Sequence, residues 1–130
     1  MKNKLLLLSV VGLLIIFSSC GAIGDSSKVG EDFYNAIKEK NVENVIPLLS
    51  EEALSATAKE DWIIGLNSYI EERGELKSFK RTGLNVSTSD GVTTTTLTYK
   101  VKYEKGDYNE EIILIKKGEE YFIQFYDADM

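Results

Sequence analysis

The chain has 130 residues, 43% apolar and 28% charged, with 21 acidic side chains against 15 basic ones and a net charge of −6; that is the size of one globular domain. Ten per cent aromatic residues and a single proline exclude a disordered or fibrous chain. Histidine is absent, which excludes Ser-His-Asp and Cys-His catalytic sets, imidazole metal ligands and the side chain most used for proton transfer near neutral pH.

Lys2 and Lys4 precede a thirteen-residue run, Leu5 to Phe17, broken only by Ser9 and Gly12, after which the chain reads Ser18-Ser19-Cys20-Gly21. Positive charge followed by a short apolar run is the layout of a signal peptide. As a helix at about 1.5 Å per residue the run spans about 20 Å, short of the roughly 30 Å hydrocarbon core, which argues against a permanent span. Cys20 is the only cysteine, so no intramolecular disulfide competes for it. Its place directly after the apolar run and two small residues resembles the lipobox of bacterial lipoproteins. The resemblance implies that residues 1–19 are a removable leader and that the Cys20 thiol carries a diacylglyceryl group, often with a further acyl chain on the new amine. It also implies a bacterial envelope protein, held on the outer or the cell membrane with its domain facing the periplasm or exterior. Two or three chains, each CH₂ contributing about 0.8 kcal/mol when buried, hold a protein durably where one chain would let it escape.

Residues 20–27 then read as the lipidated cysteine and a short tether, and 28–130 as a single domain. Without Lys2 and Lys4 this mature part keeps thirteen basic residues against twenty-one acidic ones, a net charge of −8. Such a surface is a poor partner for nucleic acid, which needs clustered Lys and Arg. It reads as solubility, with attraction of a basic envelope protein as the functional alternative.

Val29, Phe33 and Ile37 put one apolar stripe on a first helix that stops around Lys40-Asn41, with Gly30 weakening its first turn. Val42, Val45, Ile46 and Leu49 mark a shorter helical stretch that Pro47 bends or restarts. Thr57-Ala58-Lys59-Glu60 matches a capping box and predicts the start of a third helix. That helix places Trp62, Ile63, Leu66, Tyr69 and Ile70 on one face and ends at Gly74.

After Gly74 the period changes to two and predicts four strands. The first runs from Leu76 to Ser87, where Phe79 is out of phase with Leu84 and Val86, so a bulge is expected near Gly83. Asp90-Gly91 predicts a hairpin turn. Val92 to Glu104 sets Leu97, Tyr99, Val101 and Tyr103 against Thr96, Thr98, Lys100 and Lys102 on the other face. The strands Tyr108 to Lys116 and Glu120 to Asp127 are apolar on both faces, so one face packs on the helices and the other also needs cover. The simplest cover is a second copy of the same sheet, which points to a homodimer.

Helices followed by a four-stranded antiparallel meander specify an α+β domain, with the helices gathered on one face of a curved sheet. The Trp62 to Ile70 helix running into Gly74-Glu75-Leu76-Lys77-Ser78, and the closing strand Gly118-Glu119-Glu120-Tyr121-Phe122-Ile123, resemble small bacterial lipoproteins that carry a domain of unknown function. The fold this implies is a cystatin-like or nuclear-transport-factor-2-like cone. Enzymes on that cone place acid, base and tyrosine groups between sheet and helix, so Trp62, Tyr99, Tyr103, Gln124 and Tyr126 are the expected pocket lining. A tyrosine beside a desolvated carboxylate could stabilise an enolate, as in ketosteroid isomerase on the same fold. No carboxylate falls on the apolar face of the Val92 strand, however, and tyrosines there are expected to fill the core with their rings and send their hydroxyls to the rim.

The adjacent pairs Glu51-Glu52, Glu71-Glu72, Glu110-Glu111 and Glu119-Glu120 point their members in different directions and read as solvated surface. No calcium-loop spacing and no glycine-rich phosphate loop is present, so no catalytic residue, metal or cofactor is assigned. The leading reading is therefore a non-catalytic envelope lipoprotein whose domain binds a small ligand or a protein. A pocket enzyme of the isomerase or dehydratase type, or an inhibitor or immunity-like protein for a basic envelope enzyme, are the alternatives.

Overall fold

The computed structural model describes residues 26–129. Cys20 and the leader at residues 1–19 lie outside them. In chain order come helix α1 (residues 26–38), a 3-10 stretch (Val42–Leu48), α2 (Glu51–Ala56) and α3 (Lys59–Arg73). Strands β1 (Leu76–Ser89), β2 (Val92–Tyr103), β3 (Gly106–Lys117) and β4 (Glu120–Asp127) follow. They form one antiparallel sheet in the order β1-β2-β3-β4, curved and unclosed, with the helices on its inner face. This is the expected α+β arrangement.

On α1 the stripe Phe33, Ile37 and half-buried Val29 meets the sheet, joined by Tyr34 and Ala36. Ser26 and Ser27, at the end of the segment read as tether, already belong to this helix. At Gly30 the helix lies against β2 side chains: a Cβ there would collide with Tyr99 Oη, so close approach outweighs the roughly 1 kcal/mol of lost helix propensity. The helix closes with Lys40 in the left-handed region at φ 60°, Asn41 N–H donating to the Ala36 carbonyl at 2.8 Å and Lys40 N–H to that of Ile37 at 3.0 Å. That pair of bonds is a Schellman end.

The capping box expected at Thr57 does not form. Ala58 is the N-cap of α3 and makes no side-chain cap, while Thr57 closes α2 with its N–H on the Ala53 carbonyl at 3.0 Å. The two helices nearly abut, so Thr57 is consumed as the end of one before it can begin the next. The side-chain cap falls on α2 instead: Ser50 Oγ accepts from Ala53 N–H at 3.0 Å, and Ser50 N–H donates to the Ile123 carbonyl at 2.9 Å, tying the helix start to β4. Gly74, at φ 81°, ends α3 as expected.

Asp90 and Gly91 both have positive φ, 52° and 77°, which is the turn that matches strand twist in a two-residue hairpin. Register shifts between Leu76 and Ser78 and between Arg81 and Gly83 resolve the phase conflict in β1, the second at the expected place. On β2, Leu97, Tyr99, Val101 and Tyr103 are all buried. A third shift, in β4 opposite Ile113 and Leu114, leaves Gln124 as the extra residue, so Ile123 pairs with Leu114 and Tyr126 with Ile112 on the inner face. The outer face keeps Ile113 and Ile115 half-buried and Phe125 53% exposed.

Candidate functional site

The centre of the inner face is a carboxylate. Glu110, assigned above to solvated surface, is 0% exposed. The correction follows from strand alternation: Glu110 sits in β3 in phase with the buried Ile112 and Leu114 and directly across from Tyr99 on β2, while its neighbour Glu111 faces the other way. Their two-residue period was the signal for this position, and reading Glu110-Glu111 as a charged pair hid it.

Four donors converge on this group. Tyr34 Oη donates to Oε1 at 2.9 Å and Tyr126 Oη to the same oxygen at 2.8 Å. Tyr103 Oη donates to Oε2 at 2.6 Å and Arg73 Nη1 to that oxygen at 2.9 Å. Tyr34 arrives from α1, Arg73 from α3, Tyr103 from β2 and Tyr126 from β4, so a single side chain ties these elements to β3. Arg73 is itself 3% exposed. Its guanidinium lies 3.8 Å from the Tyr108 ring centre and 4.9 Å from that of Tyr69. Its Nη2 donates to the Ala128 carbonyl at 3.0 Å and to Asp129 Oδ1 at 2.7 Å. Leu66, Ile70 and Arg73 follow helical spacing along α3, a stripe that could have flagged the arginine as inward-facing.

Burial is the main influence on Glu110 and raises its pKa above the ordinary carboxylate value; the phenols of Tyr103, Tyr126 and Tyr34 and the Arg73 charge oppose it. Burial also raises Tyr34, Tyr103 and Tyr126, with the neighbouring Glu110 adding to it. For Arg73, burial would favour the neutral form, but Glu110 and the tyrosines outweigh it and hold the charge. A carboxylate offers about four acceptor sites. All four are taken within the protein, so Glu110 has no lone pair left for a substrate proton.

Beside this cluster a groove of about 330 Å³ opens between α2, α3 and β4, lined by Asp61, Trp62, Gly65, Tyr69, Gln124 and Tyr126. Trp62 Nε1 points to the Ala53 carbonyl at 3.5 Å, and Gln124 accepts from Ser50 Oγ at 2.8 Å through its amide oxygen. The bulge in β4 is what turns Gln124 toward that serine.

Of the residues expected to line a pocket, Trp62, Gln124 and Tyr126 do so together. Tyr103 lies behind the groove on Glu110. Tyr99 belongs to neither: it packs 4.6 Å from the Tyr34 ring and 6.3 Å from that of Phe79, under Gly30, and burial pushes its hydroxyl up to about 12. The hydroxyls of Tyr103 and Tyr126 turn inward to Glu110 and not to the rim. Tyr34, Tyr69, Arg73 and Glu110 are the site residues that sequence reasoning missed.

Among the described residues no group of three or more His, Cys, Asp or Glu side chains could hold a metal ion. No described helix is long and apolar enough to cross a membrane. In comparisons with known proteins, no family model and no curated protein matches the chain.

Proposed function

We propose that the chain is a lipid-anchored lipoprotein of the bacterial envelope whose α+β domain is a non-catalytic binding module. Its ligand is taken up in the groove between α2, α3 and β4. The observation that carries this reading is the contrast between two neighbouring features. Glu110 has the partners of a catalytic carboxylate, yet it is sealed and saturated by Tyr34, Tyr103, Tyr126 and Arg73. The groove has aromatic walls, the Gln124 amide and one carboxylate, Asp61, which is exposed to solvent. A satisfied buried network rigidifies a fold; a concave aromatic surface with few polar groups binds small molecules. The isomerase-type alternative needs a desolvated carboxylate that reaches substrate; Glu110 has no free acceptor with which to do so, and Asp61 in the groove lining is exposed to solvent.

The apolar run, the small residues and the lone Cys20 support the anchor, and the half-exposed Phe125 beside Ile113 and Ile115 supports self-association through the outer face. Mass spectrometry of the native protein is expected to find residues 1–19 removed and a diacylglyceryl adduct on Cys20; an intact leader or a free thiol overturns the anchor. Sedimentation of the mature domain tests association, with a Phe125→Lys variant expected to shift a dimer to monomer.

Trp62 is the only tryptophan, so its emission reports the groove directly. Titration with 4-phenyl-1-butanol is expected to change that emission saturably. Gly65→Leu is expected to abolish the change, since Gly65 lines the groove and a Cβ there meets nothing within 4 Å. An unsaturable or absent response overturns the binding reading.

A further inference from the structure

We infer that the groove selects an amphipathic small amine, whose ammonium meets Asp61 and whose apolar body lies against Tyr69 and Tyr126. The inference deepens the groove reading and rests on it. Asp61, Gly65 and Tyr69 follow one another at four-residue spacing on α3, which puts them on one stripe of the helix, and all three line the groove. At about 1.5 Å of rise per residue this stripe is about 12 Å long, with a carboxylate at one end and a phenol ring at the other. Gly65 has no side chain to fill the space between them, and a Cβ placed there meets nothing within 4 Å, so the middle of the stripe is open.

Charge sets the direction of the ligand. Among the described residues that line the groove, Asp61 is the one with a charged side chain. It is exposed, and no Lys or Arg among the described residues pairs with it, so its carboxylate is available to a cation from solution. The far end of the stripe suits a cation less well, because Arg73 Cζ already lies 4.9 Å from the Tyr69 ring centre. The apolar body therefore belongs beside Tyr69 and Tyr126, whose ring centres are 6.3 Å apart. An anion in the same groove is repelled by Asp61, and a neutral alcohol forgoes the charge-assisted bond. The excess of acidic over basic side chains adds a weaker, longer-range attraction for cations.

The test compares 4-phenylbutylamine, 4-phenyl-1-butanol and 4-phenylbutyrate, read through Trp62 emission, on the mature domain and on its Asp61→Asn and Glu60→Gln variants. Both positions are exposed, so neither substitution disturbs the core. Glu60 does not line the groove and controls for the loss of one negative charge. The amine is expected to bind about fivefold more tightly than the alcohol, and the acid more weakly than either. Asp61→Asn is expected to bring the amine to the level of the alcohol without changing the alcohol, whereas Glu60→Gln keeps the ranking. Equal binding of amine and alcohol to the parent domain, an amine preference that survives Asp61→Asn, or one lost equally in Glu60→Gln overturns the amine assignment while leaving the groove reading in place. Failure of all three compounds to perturb Trp62 overturns the groove reading and this assignment with it.

Discussion

Arg73 Nη1 and Glu110 Oε2 lie 2.9 Å apart in the interior, one at the last turn of α3 and the other in the middle of β3. Each charge is tolerated there only because of the other and because three phenols and a backbone carbonyl complete the set. The pair is therefore a lock: it fixes the angle of α3 on the sheet, and through Tyr69 and Tyr126 it fixes the groove wall.

Breaking the lock from one side leaves a buried charge unpaired. Arg73→Met is expected to lose about 3–5 kcal/mol of folding stability, and Glu110→Gln a comparable amount, in urea denaturation. The double variant should lose clearly less than the two single losses together, because each single change strands the partner that the other removes. Additive losses would show that the two side chains are not energetically coupled.

The tyrosines predict an alkaline limit. Burial raises Tyr34, Tyr99, Tyr103 and Tyr126 above the ordinary value of 10, Tyr99 to about 12. Below pH 10 each is neutral whether folded or not, and its contribution is complete. Above pH 10 the unfolded chain loses phenolic protons that the folded chain keeps, so stability falls by up to about 1.4 kcal/mol per pH unit for each group. Circular dichroism and phenolate absorbance followed against pH should show these four hydroxyls ionising together with unfolding; ionisation of the set while the fold persists would contradict their placement.

Gly30→Ala gains helix propensity of roughly 1 kcal/mol yet is expected to destabilise the protein by about 1–3 kcal/mol, because its Cβ meets Tyr99 Oη and lies 3.1 Å from Leu97 Cδ1. Tyr99→Phe in the same chain removes the hydroxyl and should recover part of the loss. Thermal unfolding of the parent and the two variants checks the order.

Ser50→Ala removes the side-chain cap of α2 and the donor that holds Gln124 at 2.8 Å. A loss of about 1–2 kcal/mol is expected, accompanied by a change in Trp62 emission because α2 and Gln124 both wall the groove. Ser50→Thr, which keeps the hydroxyl, should retain most of the emission of the parent protein.

Local sequence carried much of this architecture. The alternation of Leu97, Tyr99, Val101 and Tyr103, the Asp90-Gly91 turn and the stop at Gly74 were legible because each depends on a residue and its immediate neighbours. The bulge near Gly83 was legible for the same reason: a phase conflict within one strand has a local solution. Thr57 showed the limit, since whether it starts one helix or ends another depends on how closely the two elements follow each other.

The interior carboxylate lay beyond that limit. Strand parity could have turned Glu110 inward, but a glutamate is tolerated inside only if donors meet it there. Those donors stand at Tyr34, Arg73, Tyr103 and Tyr126, on four different elements. Periodicity along the chain thus determined which elements form and which face each one buries, together with the motif that reads as a lipid anchor. Only the packing of α1 and α3 on the sheet decided that four distant polar tips converge on one buried charge, because electrostatic compensation depends on distance in space and leaves no pattern in a run of consecutive residues.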